Sequence, residues 1–460
     1  MTEPTRLSVA QRKELGKQAR AKISRSGHAD WSPRPDRRDP VSILAAQNAQ
    51  RVEQLIPIRH ARMSVSPFTF YRGSAAVMAE DLSGTTDSGL WVQAGGDAHL
   101  SNFGAYASPS RELVFDQNDF DETLPGPWEW DLKRLTTSMV VAGQNLGMSK
   151  DEQRKIAAHT VWAYRDAMSQ YAQMTVMDLW YDYLSIDKLG QRLQNKGIAA
   201  RLTTFENRAR SKTSLQALKK LATRESGQLR LRNQPPLLVP MGNLPSHYNP
   251  DEISEAVSLA FQEYVETTAD HMHLLLERFK VVDLALKVVG VGSVGTRCWV
   301  VLLEGRDDQD PLFLQIKEAV PSVLEDHLRP SRYEHQGQRV VEGQRLTQAQ
   351  SDIFLGWTTG PGGRHFYVRQ LRDWKGSADV DQGTALEATF YGGLCARTLA
   401  RGHARSGDSV AIAAYVGNSS KLDDSIAEFA MRYAKQNLED YAAFEQAIAD
   451  GVLPIAQGPV

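Results

Sequence analysis

The sequence predicts an α+β protein of two lobes, one large and helical, the other built on a small antiparallel sheet. Three observations predict it. Residues 281–318 switch to strand signals, with the runs Leu286-Lys-Val-Val, Cys298-Trp-Val-Val-Leu-Leu and Pro311-Leu-Phe-Leu-Gln-Ile-Lys. The flanking stretches, about 40–275 and 380–460, carry helical patterning. The chain of 460 residues is 42% hydrophobic and 23% charged, a globular composition with length for two large lobes.

Composition also narrows the function classes. Lys plus Arg number 53 and Asp plus Glu 55, so bulk charge points to no nucleic-acid or anionic-membrane partner. Cys298 and Cys395 cannot alone form a disulfide framework or a thiolate zinc site. No apolar run reaches the roughly 18 residues of a membrane helix, and no apolar signal segment opens the chain. The expectation is a cytoplasmic protein whose oligomeric state the sequence leaves open.

Taken in order, residues 1–40 hold ten Lys/Arg against five Asp/Glu and read as a basic flexible arm. Helical pattern begins at Pro40. Gly89-Leu-Trp-Val-Gln-Ala-Gly and Glu112-Leu-Val-Phe-Asp read as strands, followed by the acidic turn Asn118-Asp-Phe-Asp-Glu122. Asp131 reads as the N-cap of a helix running to about Leu146. Residues 150–250 form a charged helical insert with a basic stretch at Arg208, Arg210, Lys212, Lys219 and Lys220 and no ligand signature. Pro235-Pro236 and Pro240 interrupt the chain before a helix over Asp251–Phe279. After the strands of 281–318 come a helix at about 334–350, strands at Ile353–Trp357 and His365–Gln370, and alanine-rich helices over 384–450. The units are therefore 1–40, 41–280, 281–378 and 379–460, the second and fourth forming one helical lobe.

Gly290-Val-Gly-Ser-Val-Gly295 fits the G-x-G-x-x-G pattern, weak by itself. In a dinucleotide-binding fold its last glycine opens a helix. Here Thr296-Arg-Cys-Trp-Val-Val continues as a strand, which excludes that fold. Strand, glycine loop, strand, turn, strand resembles the small lobe of protein kinases, where glycines let backbone N–H groups approach ATP phosphates. On this reading Gly290, Gly292, Ser293 and Gly295 contact the nucleotide. Lys317, ending an apolar strand, faces its phosphates. Glu342 on the following helix is the expected partner of Lys317, with Glu334 the alternative. Arg369 and Gln370 lie on the edge strand that runs into the nucleotide hinge.

The catalytic elements lie upstream. Gly96-Asp-Ala-His-Leu-Ser-Asn102 fits G-D-x-H-x-x-N and resembles the catalytic loop of aminoglycoside and choline phosphotransferases. The resemblance makes Asp97 the group that orients and deprotonates the acceptor, with His99 beside it, and Asn102 a magnesium ligand. The metal-binding aspartate is expected in the acidic tract, as Asp119 first, with Asp116 and Asp121 alternatives. Because the catalytic loop precedes the glycine loop, the expected architecture is a circularly permuted, two-lobed protein-kinase-like fold.

The segments Ser66-Pro-Phe-Thr-Phe-Tyr-Arg-Gly73, Gly96–Gly104, Phe115–Glu122 and Leu399-Ala-Arg-Gly-His-Ala-Arg-Ser-Gly-Asp408 resemble a bacterial family known as domain of unknown function 2252. The resemblance runs from about Arg38 to Phe444. It implies a kinase-like fold and leaves the acceptor class open. The expected activity is ATP- and magnesium-dependent phosphotransfer to a hydroxyl of an unknown small molecule or protein. The alternatives are AMP transfer, nucleotide binding without catalysis, and a metal-dependent hydrolase using Asp97, His99 and the acidic tract.

Overall fold

Two apolar stripes on opposite faces of one sheet organise the smaller lobe. The computed structural model describes residues 7–225, 228–244, 250–371, 373–377 and 382–458. The fold is α+β, with separate small antiparallel sheets among many helices. The largest sheet has six strands in the order Gly356–Gly360, Arg364–Gln370, Pro311–Glu318, Cys298–Glu304, Lys280–Lys287 and Leu238–Pro240. Successive side chains of a strand point to opposite faces. Leu312 and Leu314 therefore join Leu284, Val301 and Val368 under Tyr264, on the helix Pro250–Glu266. Phe313 joins Ala285, Val300 and Leu302 on the other face, under Ala217 and Leu221 of the helix Ser214–Leu221. Lys317 shares the face of Phe313 and Gln315, with Cys298 and Tyr367 as its cross-strand partners.

The helical lobe is assembled from distant segments. Trp128–Asn145 is buried on nearly every side, as a central helix must be. Around it lie Lys150–Tyr171, Ala385–Ser406 and Lys421–Ala449. Trp128 stacks on Tyr164 at 5.4 Å between ring centroids, and both are fully buried. Ser149 and Thr384 start two of these helices with capping boxes, each satisfying exposed N–H groups of the first turn. Among the described residues no helix is long and apolar enough to cross a membrane. Both cysteines are buried and free.

Four expectations need correction. Residues 7–40 are not a flexible arm. The helix Val9–Lys22 packs on Ser409–Val416, so closely that a Cβ at Gly16 would lie 2.0 Å from the Ala411 carbonyl oxygen. Trp31 is buried against Phe429 and Tyr433, and Arg37 bridges Asp81 and Asp440 at 2.7 and 2.6 Å. The sheet lobe begins before residue 281, because Leu238–Pro240 supplies its edge strand and Pro250–Glu266 covers one face. The boundary expected at 378–379 lies outside the described residues. The strand expected at Ile353–Trp357 runs from Gly356 to Gly360, and Asp131 sits inside the first turn of Trp128–Asn145 rather than capping it.

Candidate functional site

The loop from Gly95 to Asn102 joins the strands Trp91–Ala94 and Phe103–Ala107. Gly96 has φ +77°, and a Cβ there would lie 2.3 Å from the Glu122 carbonyl oxygen, so the turn requires glycine. The backbone N–H groups of Gly95 and Gly96 donate to the carboxylate of Asp131 at 2.6 and 2.9 Å. That buried carboxylate also lies 3.1 Å from Nε2 of His403, whose Nδ1 lies 2.8 Å from the Tyr164 hydroxyl. The loop is thus strapped to the core beneath it.

Asp97 projects from this loop. Arg134 donates to its Oδ1 through Nε and Nη2, at 2.8 and 2.6 Å, and anchors itself on the Tyr71 carbonyl. His99 is buried, with Nε2 3.6 Å from Asp97 Oδ2. Burial, reinforced by the charges of Arg72 and Arg134, drives its pKa well below 6.5, so the imidazole is neutral. The Asn102 side-chain amide donates to the Asp97 carbonyl at 2.7 Å.

The acidic tract separates into three roles. Asp116, expected as a possible metal ligand, is sealed inside the protein. It accepts from Arg401 at 2.6 Å and from the Ala349 N–H at 2.7 Å, so its charge is already spent on the fold. Asp121 accepts from Lys317 Nζ at 2.5 Å, from the Tyr367 hydroxyl at 2.6 Å and from Ser293 Oγ at 3.3 Å. Burial would raise its pKa, but the charge and hydrogen bond of Lys317 outweigh this and hold it at about 2. Asp119 stands 3.7 Å from Lys317. Its pKa is raised by burial and by the charge of Asp121, against the pull of Lys317, Arg369 and Lys375. Both carboxylates hold the Lys317 pKa well above its ordinary value, despite burial.

Glu342 is not the partner of Lys317. It pairs with Arg345 one turn away at 2.9 Å, and Glu334 is exposed. The helix Gln336–Thr347 instead turns Arg339 inward, where it donates to the carbonyls of Asp121, Thr123 and Val320 at 2.7–2.8 Å. A helical period places residues on shared faces without saying which face turns inward. Arg134, Arg339, Tyr367 and Asp131's clamp on the loop escaped the sequence reading. Only Asp131 left a signal there, beside the acidic tract.

The glycine loop closes the cleft from the sheet side. Gly290 and Gly295 have φ +71° and +97°, in the left-handed region. Loop carbonyls are pinned to the helical lobe: Gly290 by Arg62 at 2.7 Å, Val294 by Arg51 at 2.5 Å, and Gly295 by the Val52 N–H at 2.8 Å. Gly290, Gly292 and Ser293 line a recess of about 110 Å³ together with Asp97, His99, Asn102, Asp119, Asp121 and Glu122. Gly295 is an anchor outside it.

A cavity of about 950 Å³ continues from this recess, sharing Arg72, Asn102, Asp119, Gly290 and Ser293 as walls. Lys317 and Arg369 line it. Arg369 donates to the Asn118 carbonyl at 2.9 Å and to Gln315 Oε1 at 3.0 Å. Gln370, expected at the same site, lines a different recess of about 240 Å³ with Asp352 and Phe354.

One cleft therefore joins a lysine, two carboxylates, an asparagine, a glycine loop and a clamped aspartate. No curated protein and no solved structure matches the chain. A family model, described as an uncharacterized protein conserved in bacteria (DUF2252), matches residues 51–447, and the chain belongs to that family.

Proposed function

We propose that the protein is a cytoplasmic, ATP- and magnesium-dependent transferase, with a circularly permuted kinase-like fold, that moves a phosphorus-containing group to a hydroxyl acceptor. The observation that carries this reading is the meeting of Lys317 with Asp119 at 3.7 Å, in a cleft that also holds Asn102, Asp97 and the glycine loop. The sheet lobe supports it. Its glycine loop follows one strand, its lysine ends a later one, and a helix separates that strand from the last pair.

The donor set suits a magnesium ion. Asp119 supplies a carboxylate, and the side-chain oxygen of Asn102, Oδ1, accepts no hydrogen bond among the described residues, while its backbone carbonyl is taken by the Asn118 N–H. Magnesium takes one or two protein oxygens and fills its octahedron with phosphates and water. Among the described residues no cluster of three or more His, Cys, Asp or Glu could hold a metal alone, which favours a phosphate-completed site over a hydrolytic metal centre. When bound, magnesium neutralises charge on the phosphates.

The chain's own groups divide the remaining work. Lys317, kept protonated by Asp119 and Asp121, faces the phosphates. Asp97 orients the acceptor hydroxyl and takes its proton as the new bond forms. Arg134 fixes the Asp97 carboxylate, while His99 packs beside it as a neutral ring. Asp131 holds the loop through Gly95 and Gly96, and so sets where Asp97 stands.

The test is calorimetric titration of ATP with and without magnesium. Lys317→Ala is expected to lose ATP affinity by tenfold or more. Asp97→Asn is expected to keep that affinity while any turnover falls roughly 10²-fold. ATP affinity unchanged in Lys317→Ala would refute the reading.

A further inference from the structure

Two histidines meet at the start of the helix Gln336–Thr347. His335 caps it, and its Nδ1 accepts the Gln338 N–H at 3.2 Å. His365, on the strand Arg364–Gln370, reaches the same turn, where its Nδ1 accepts the Gln336 N–H at 3.0 Å. The two rings stack with centroids 4.0 Å apart. Helix and strand touch closely here: a Cβ at Gly337 would lie 2.2 Å from the Phe366 carbonyl oxygen. The first turn of a helix leaves N–H groups without intrahelical partners. Two of them are satisfied here by imidazoles, where hydroxyls or carboxylates are the usual caps.

A backbone N–H donates, so both Nδ1 atoms present lone pairs and both rings are neutral. A proton on either Nδ1 removes an acceptor from the turn. It also places a cation at the positive end of the helix dipole, against a second imidazole. Burial, and after it the charge of His365, hold the His335 pKa below its ordinary 6.5. Glu263, on the helix Pro250–Glu266, pulls the other way. It is fixed by Thr358 Oγ1 and by the N–H and Oγ1 of Thr359 at 2.7–3.0 Å. The exposed Glu334 also favours a proton, through solvent. Arg364, beside His365 and 3.7 Å from Glu318, and Arg339, one turn along the helix, oppose it. At His335, burial and His365 outweigh the attraction of Glu263.

The turn carries a residue that the cleft depends on. The Arg339 N–H donates to the His335 carbonyl at 3.1 Å, and the Arg339 guanidinium donates to the carbonyls of Asp121, Thr123 and Val320. Those bonds anchor the segment in which Asp121 meets Lys317. We propose that the stacked pair His335–His365 is a proton-sensitive latch. Neutral, it closes the first turn of Gln336–Thr347 and keeps Arg339 on the acidic tract. Protonated, it lets that turn open and loosens the cleft. The latch rests on the transferase reading above only for its consequence, a weaker hold on magnesium and ATP in acid.

The closed turn takes up a proton less readily than an open one, so protons favour opening. For His335 the contribution of the cap to stability is complete above pH 6.5 and is lost as pH falls below it. Each lost cap shifts the opening equilibrium of the turn about fivefold, and the two together by more than tenfold.

Amide hydrogen exchange on the full chain without nucleotide tests the latch, each rate taken relative to the intrinsic rate at that pH. Asn places a non-titrating acceptor near the position of Nδ1, so the comparison is His335→Asn/His365→Asn. Between pH 7.5 and pH 5.5, exchange over residues 336–340 is expected to rise tenfold or more in the wild type and to stay level in the double variant. The helix Lys150–Tyr171 should be unchanged in both. No rise in the wild type, or an equal rise in both proteins, would overturn the latch. Should the double variant not fold, His335→Asn alone is expected to cut the rise to about threefold, and an undiminished rise overturns the latch equally. Calorimetry of ATP with magnesium over the same range tests the link to the cleft. Because ATP itself titrates, the ratio of wild-type to variant affinity is read, and it is expected to fall about fivefold on acidification. A constant ratio overturns the control of the cleft. ATP binding by neither protein at any pH would instead refute the transferase reading, with the exchange result still deciding the latch.

Discussion

Asp116 and Asp121 lie on one short segment, and each is gripped by a cation from elsewhere in the chain. In the Arg401–Asp116 pair both side chains are sealed, 3% and 2% exposed. In the Lys317–Asp121 pair the lysine is as deeply buried, but the aspartate is 26% exposed and borders the cleft. In the sealed pair, further hydrogen bonds from the Ala349 and Gln117 N–H groups to Asp116 offset part of the cost of burial. The open pair leaves Asp119 beside it with room for a ligand. Accessibility, rather than acidity or motif position, divides the sealed acid from the acids that face the cleft in this tract.

Breaking the sealed pair should have the largest effect. Arg401→Met strands the Asp116 carboxylate in the core and should cost about 3–5 kcal/mol of stability, read by urea denaturation. Asp116→Leu added to it should recover most of that loss. Lys317→Met, whose partners still reach solvent, should unfold at nearly the wild-type urea concentration. Equal losses at both sites would erase the distinction.

A smaller effect sharpens the comparison within the tract. Asp119→Asn should reduce the magnesium-dependent part of ATP affinity about tenfold, or about 1.4 kcal/mol. Asp116→Asn, provided it folds, should leave that part unchanged. Calorimetry with and without magnesium distinguishes them, and the reverse ranking would reassign the metal ligand.

The smallest effect concerns Glu122, next along the chain. Burial raises its pKa to about 7, against a hydrogen bond from the Val323 N–H and the charge of Arg339. Its folded-state pKa therefore exceeds its unfolded value of 4.5. The stability linked to its protonation is complete below pH 4.5 and is lost as pH rises through about 7. Allowing for solvent screening, Glu122→Gln should gain about 1 kcal/mol on the wild type between pH 5 and pH 8. Denaturation curves of equal separation at both pH values would reject this assignment.

Features carried by short local patterns were legible in the sequence. The glycine loop, Lys317 at its strand end, the Gly96–Asn102 loop and the acidic tract all stand where period and punctuation put them. Features that depend on distant packing were not. Choosing Asp121 over Glu342 as the partner of Lys317 required the rotation of the helix Gln336–Thr347. Asp116 looked available until Arg401 was seen to close over it. Arg34, Arg37 and Arg38 resembled a solvated basic run, yet Arg37 is an internal bridge. Lys219 and Lys220 read only as part of a basic stretch, because it is the docking of the helix Ser214–Leu221 on the sheet that puts them on the cavity wall.

The Arg37 bridge bears on the order in which the molecule is assembled. Asp440 follows Arg37 by 403 residues, so the ribosome must add nearly the whole chain before that clasp can close. The strands from Lys280 to Gln370, by contrast, pair across short sequence separations. Closing small loops takes less entropy than closing long ones. During synthesis the sheet lobe is thus poised to settle first, while the early helices wait, their apolar faces only partly covered, for the Lys421–Ala449 helix to arrive.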